Sequence, residues 1–279
     1  MDAIRIFTDS TADLPADLVD THAIGVVPLS VTIGDETFPD GSFSQVEFFE
    51  RMNAAPQLPT TSQPSVGAFR DAYEHALESA REIVSVHISP LLSGTFESAR
   101  EAATAFAGRV HVVDSYTLSG ALGLQVLDAA RAAEKGATAS EIVAMIESGR
   151  DKVRFVVGLD KLDNLAKGGR IGKVTAFLGG MLNMRITFYV RQGEFIPLSR
   201  ARGTHAILKQ TIDWVAEQMG DRTRGVFCVL SALAPDKAAW LKSAIQERFD
   251  VAELYEWETG AVISTHTGTG FGVAFVPLD

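Results

Sequence analysis

A chain of 279 residues with 46% hydrophobic residues is long enough to bury the core of one large or two ordinary domains. Its formal charge of −10, with no sizeable Lys/Arg cluster, argues against nucleic acid as a partner, because phosphate attraction needs a basic face. The single cysteine, Cys228, sits in the apolar run 226–230, which excludes an intrachain disulfide and a multi-cysteine metal site and points to a buried, inert thiol. The N-terminus, Met1-Asp2-Ala3-Ile4-Arg5, has no basic segment followed by an apolar one, and no apolar run reaches about eighteen residues, so a cytoplasmic protein is expected.

Residues 4–7 read as a short strand ending in Thr8-Asp9-Ser10-Thr11. Asp13-Leu14-Pro15 then opens a helix to about His22, with Asp13 as its cap and Pro15 in its first turn. The apolar run 24–33, the turn Gly34-Asp35-Glu36 and the loop through Pro39-Asp40-Gly41 suggest a strand pair. Helical spacing over 44–52 gives way to an unstructured stretch, 53–64, kept extended by Pro56, Pro59 and Pro64 and containing Thr60-Thr61-Ser62-Gln63. A helix over 65–81 follows, amphipathic through Phe69, Tyr73, Ala76 and Leu77.

In 83–96, IVSVHISPLLSGTF, a β-rich run stops at Ser89-Pro90 and a helix over 95–107 starts just past Ser93-Gly94. A strand end, a serine hydroxyl and unpaired helix N–H groups together suit an anion, although Ser93 as a plain N-cap accounts for the same residues. Next come a short apolar run, 110–113, a helix over 118–134 closed by Gly136, and the capping-box pattern Thr138-Ala139-Ser140-Glu141 ahead of a helix ending near Arg150. The alternation of strand and helix predicts an α/β fold: a mostly parallel sheet flanked by helices in a first domain, 1–152, and a second α/β domain, 153–279.

The second half opens with a strand over 153–159 and a short helix over 160–167 ended by Gly168-Gly169. Arg170 precedes a strongly apolar segment, 174–184, interrupted by Gly179 and Gly180, each costing a helix about 1 kcal/mol relative to Ala. A hairpin over 186–190 and 195–198, helices over 204–219 and 235–248, and strands over 225–230, 251–257 and 271–276 complete the chain, with His266-Thr267-Gly268-Thr269-Gly270 before the last strand.

Familiar catalytic motifs do not fit. Gly168 to Lys173 lacks phosphate-loop spacing, and Gly268, Gly270 and Gly272 precede a terminal strand, where a dinucleotide fingerprint would open a helix. Asp9 has no second Asp two residues on, as a haloacid-dehalogenase-type phosphatase needs, and no His-Glu-x-x-His occurs. A serine hydrolase using Ser93, His266 and Asp9 is conceivable, but Leu91 and Thr95 stand where a nucleophile elbow wants glycine.

Five segments together, Thr8-Asp9-Ser10-Thr11-Ala12-Asp13-Leu14, Pro59-Thr60-Thr61-Ser62-Gln63-Pro64-Ser65, Leu92-Ser93-Gly94-Thr95-Phe96, Gly168-Gly169-Arg170-Ile171-Gly172 and His266-Thr267-Gly268, resemble the successive signatures of the DegV family over essentially the whole chain. The resemblance implies a two-domain α/β protein that holds one long-chain fatty acid, such as palmitate or oleate, between its domains. It implies a lipid-carrying subunit for a separate ATP-using fatty acid kinase, with no cofactor, metal or catalytic residue of its own. By the same resemblance Ser93 and Thr61 bond the carboxylate, Ser62 and the Gly94 amide lie close by, and His266 completes the network. Arg170, with Thr267 and Gly268, lies near the head group, while Arg200 and Arg202 face the kinase. Phe177, Leu178, Met181 and Leu182 are expected along the tail, a role for which plain core packing is the alternative. The protein is expected to act as a monomer with transient membrane contact; an esterase using Ser93 and His266, or a lipid store or sensor without a kinase, are the competing readings. Two positions depart from the family: Thr269 replaces a frequent Pro, which suggests a looser loop, and Arg185-Ile186 replaces a frequent Lys-Pro.

Overall fold

The computed structural model describes residues 4–170 and 185–279; the apolar segment 174–184, with the expected tail contacts Phe177, Leu178, Met181 and Leu182, lies outside the described residues. Strand β1 (Ile4–Asp9) runs into a 3-10 turn, Ser10–Ala12, then α1 (Ala16–Thr21) and β2 (Gly25–Val27), which pairs parallel to β1. Asp13 does not cap α1 as expected. It is left-handed (φ 52°), closes the 3-10 turn, and turns its carboxyl inward to Ser119 and Gly260, so α1 starts only after Pro15.

A hairpin of β3 (Ser30–Ile33) and β4 (Glu36–Pro39) leads to α2 (Gln45–Ala54). The stretch 53–64, expected to lack structure, contains β5 (Thr60–Ser62), which adds antiparallel to β3 with Thr61 opposite Val31. Three hydroxyl residues carry no apolar alternation, and only the partner strand satisfies their backbone. Next come α3 (Val66–Leu77), which ends short of Arg81, and β6 (Glu82–His87). The following helix, α4 (Thr95–Ala103), gives way to a 3-10 turn and a left-handed Ala107, so it is shorter than the spacing predicts, and its N-cap is Gly94 rather than Ser93. With β7 (Val110–Asp114) the first sheet has the order β2-β1-β6-β7, all parallel. The chain departs to opposite sides of β1 and β6, which opens a crevice at their carboxyl ends.

Helices α5 (Ser119–Glu134) and α6 (Ala139–Gly149) follow, the latter closed by the capping box of Thr138 and Glu141. Then come β8 (Arg154–Leu159), α7 (Asp163–Lys167), β9 (Arg185–Arg191), β10 (Glu194–Ala201), α8 (Thr204–Met219) and β11 (Arg224–Ala232). The chain finishes with α9 (Pro235–Arg248), β12 (Asp250–Glu258), α10 (Ala261–Thr267) and β13 (Gly270–Pro277). The second sheet, β10-β9-β8-β13-β11-β12, is antiparallel except for the pair β11 and β12. Strand alternation divides its faces: Phe227 and Val229 pack toward α8 and α9, Cys228 and Leu230 toward α5.

Helix α5 therefore lies between two sheets, and every residue from 119 to 127 is buried. Gly120 permits that closeness, since a Cβ there would come within 2.8 Å of Leu230 and 3.0 Å of the Cys228 sulfur. Although late in the chain, α10 packs against α2, β3 and β5 of the first half. Among the described residues no helix is long and apolar enough to cross a membrane.

Candidate functional site

At the crevice, Thr11 after β1 and Ile88, Leu92 and Ser93 after β6 meet Thr61 of β5 and Val262, Ile263, His266 and Thr267 of α10 around one cavity of about 50 Å³. Arg170 also lines it. A second apolar cavity, about 30 Å³, shares Leu118, Phe195, Ile263 and Thr267 with the first and continues to Phe155, Leu230 and Gly272. Polar groups thus gather at one end of an apolar path that runs between α5 and the second sheet.

Thr61 Oγ1 and His266 Nε2, 205 residues apart, are 2.8 Å from each other. Burial, assisted by the Arg170 charge, pushes His266 down to about 4, so its ring is neutral at pH 7. Among the described residues its Nδ1 is buried without a partner, and a proton there would be an unsatisfied donor costing about 1–3 kcal/mol. The proton therefore sits on Nε2 and is donated to Thr61, which leaves the Thr61 hydroxyl free to donate into the cavity. Ser93 behaves similarly: its Oγ accepts the Thr95 N–H (3.3 Å) and lies 2.8 Å from the Thr95 hydroxyl, so with Thr95 donating, the Ser93 proton faces outward. Arg170 is exposed and tied by its guanidinium to the carbonyls of Gly168 (2.7 Å) and Leu92 (3.5 Å). Gly168 is needed where it stands, because a Cβ would run into the His266 ring and reach 3.0 Å from the Asn164 carbonyl.

Ser62, next along an extended strand, faces away from Thr61 and is exposed, and neither it nor Gly94 nor Gly268 lines the cavity. Gly94 is covered by the Gln63 amide, which donates to the Gly94 carbonyl (3.2 Å) and to Ser98 (2.9 Å) and so ties the two hydroxyl loops together. Gly268 ends α10 with positive φ, and Thr267 is buried with its hydroxyl on the Ile263 carbonyl. Thr269 replaces the expected rigidity of proline with a bond to Asp160 (3.0 Å), a carboxylate also held by Arg185 and Lys237. Arg200 and Arg202 are exposed at the end of β10, where Ala201 pairs with Arg185.

The proposed triad of Ser93, His266 and Asp9 does not assemble. Asp9 is buried in the first sheet, with Oδ2 accepting from His87 Nδ1 (2.9 Å) and Ile88 N (3.1 Å) and Oδ1 from Thr11. His87 Nε2 lies 2.6 Å from Ser85 Oγ, which accepts from Tyr73 (2.8 Å); burial raises the Tyr73 pKa, which keeps it a donor. This Ser-His-Asp series is fully buried and reaches no substrate. A fluorophosphonate is expected to leave Ser85 and Ser93 unlabelled, and an adduct at either would reinstate a hydrolase.

Sequence reasoning singled out neither Leu118, Phe195 and Ile263 as cavity walls nor Asp13 and Asp40 as site supports. The walls read as ordinary core, and no local signal separates a core side chain from a cavity side chain.

Hydrogen-bond donors at the mouth and hydrocarbon behind suit an anionic group carrying an apolar tail, in a crevice of an α/β fold where ligands commonly bind. Residues 3–278 match the model of the DegV family, described as uncharacterised proteins, and the chain belongs to that family. A DegV domain-containing protein from Deinococcus radiodurans is 37% identical over 281 residues, covering 99% of each chain, and one from Streptococcus pyogenes is 35% identical over 272 residues and 97% of each. Among solved structures, a DegV family protein from Thermus thermophilus described for its fatty acid binding superposes with a TM-score of 0.95 at 34% identity, covering 99% of this chain and 100% of that one. DegV from Bacillus subtilis, described as a fatty acid binding protein, gives 0.90 at 27% identity over the whole of both chains.

Proposed function

We propose that the protein binds one long-chain fatty acid between its two halves, 1–152 and 153–279, and presents the carboxylate to a separate ATP-using kinase subunit that converts it to an acyl phosphate. The observation that carries this reading is the Thr61–His266 pair beside Ser93 and Arg170 at the polar end of an otherwise apolar cavity. Thr61 and Ser93 donate to the carboxylate, His266 acts through Thr61, and Arg170 supplies the opposite charge. The tail follows Leu118, Phe195 and Ile263 toward Leu230, gaining about 0.8 kcal/mol per buried CH₂ before binding costs. Because both cavities are narrow, the apolar walls part to admit it. The exposed Arg200 and Arg202 face the kinase.

Mass spectrometry of the denatured protein is expected to reveal a co-purified fatty acid. After delipidation, palmitate or oleate at about 100 times Kd should add about 2.7 kcal/mol of stability. The absence of both a bound lipid and a rise in thermal midpoint would overturn the reading. Formation of acyl phosphate with a purified kinase subunit and ATP separates a carrier from a store.

A further inference from the structure

Helix α10 carries His266 near its C-terminal end but has no side chain of its own to close its N-terminus, where Gly260 is the N-cap. Its first donors are taken from far away in the chain. Asp13 Oδ1 accepts from Gly260 N (2.8 Å), and Asp40 Oδ1 accepts from Val262 N (3.2 Å). Both acceptors are themselves fixed: the Ser119 hydroxyl donates to Asp13 Oδ2 (2.5 Å), and Asp40 N is bonded to the Leu29 carbonyl (2.8 Å). The two carboxyls converge on Gly260, where a Cβ would stand 3.1 Å from Asp40 and 3.3 Å from Asp13. Gln45 completes the dock, donating to the carbonyls of Ser231 (2.7 Å) and Thr259 (3.2 Å) and accepting from Leu233 N (2.7 Å). Seven residues of helix, about 10 Å, separate this anchor from the site.

We propose that Asp13 and Asp40 are positioning residues: by capping α10 from a distance they set the place of His266 and, through its bond to Thr61, the direction of the Thr61 hydroxyl. Only the lipid readout of this inference rests on the fatty-acid reading; the place of His266 is measured without lipid.

The anchor is also sensitive to pH. Burial pushes Asp13 up to about 8 and raises Asp40, and among the described residues the groups around Asp13 add no cation: Asp40, Asp9 and Cys228 interact with it, with Asp20, Glu256 and Glu258 around the adjoining cleft. A folded pKa above the unfolded value of 3.8 gives stability that is complete below 3.8 and lost as pH rises through about 8.

The test compares wild type with Asp40→Ala, Asp40→Asn and Asp13→Asn, reading the imidazole ¹⁵N shifts of His266 without lipid and then palmitate affinity. Wild type is expected to hold the Nε2–H form. Asp40→Ala should give a mixture of tautomers and about tenfold weaker binding, as for one lost hydrogen bond, and Asp40→Asn, which keeps an oxygen for Val262 N, should recover both. Should Asp40→Ala fail to fold, Asp13→Asn decides: its thermal midpoint should decline less than that of wild type between about pH 4 and 8. Wild-type ¹⁵N shifts and affinity in Asp40→Ala, no recovery in Asp40→Asn, or an unchanged pH profile in Asp13→Asn would each overturn the proposal. Failure of wild type to bind palmitate would sink the lipid reading alone, because the ¹⁵N shifts still report the position of His266.

Discussion

Ser93→Ala is expected to weaken palmitate binding about ten- to a hundredfold while leaving the thermal midpoint nearly unchanged. A hydrogen bond to a charged group contributes about 1.5–3 kcal/mol, and the carboxylate loses one of its two hydroxyl donors. Among the described residues the Ser93 side chain bonds only to Thr95, at a helix start whose N-cap is Gly94, so truncation costs the fold little. Titration of delipidated protein with palmitate, alongside a melt of each variant, reads both quantities. Wild-type affinity in Ser93→Ala would place the carboxylate elsewhere.

A different loss is expected from His87→Ala, which should lower stability by about 3 kcal/mol, because the buried Asp9 carboxylate loses a hydrogen bond and the buried Ser85 hydroxyl loses its acceptor. The thermal midpoint should fall by on the order of 10 °C. Asp9 would keep Ile88 N and Thr11 as donors, but the side facing His87 would lie bare inside a sheet whose side chains there are fully buried, and Ser85 would lose its acceptor. Denaturant unfolding checks the value. A loss under about 1 kcal/mol would show that the Thr11 and Ile88 donors suffice for Asp9.

These two side chains illustrate how differently sites and supports appear in a sequence. Ser93 lies on a strand-to-helix turn, where a hydroxyl already has a local meaning, and the motifs holding Thr61, Arg170 and His266 could be picked out one by one. Asp9 and Asp13 lie in an equally visible motif, yet the fold gives them roles that their local sequence does not. The spacing offers Asp9 as a triad member, and it serves His87; local preference makes Asp13 the cap of the nearest helix, and it caps one 247 residues away. A capping preference is a property of a residue type, but which helix it serves depends on which backbone comes near.

Elements whose reason is local follow from the residue pattern alone. Helices α8 and α9 have the bounds their spacing predicts, and α6 has the capping box its four residues spell. The residue pattern also determined the α/β class, through alternating strand and helix, and the buried thiol of Cys228. Tertiary structure alone decided that β5 is a strand, that α5 lies between two sheets, and that α10 sits against the first half of the molecule. The physical reason is common to all three: short or uniformly apolar segments carry no period of their own, and their backbone and side chains find partners only when distant parts of the chain close around them. The Thr61–His266 contact belongs to that second group, since nothing but the folded chain brings two residues 205 apart to within a hydrogen bond.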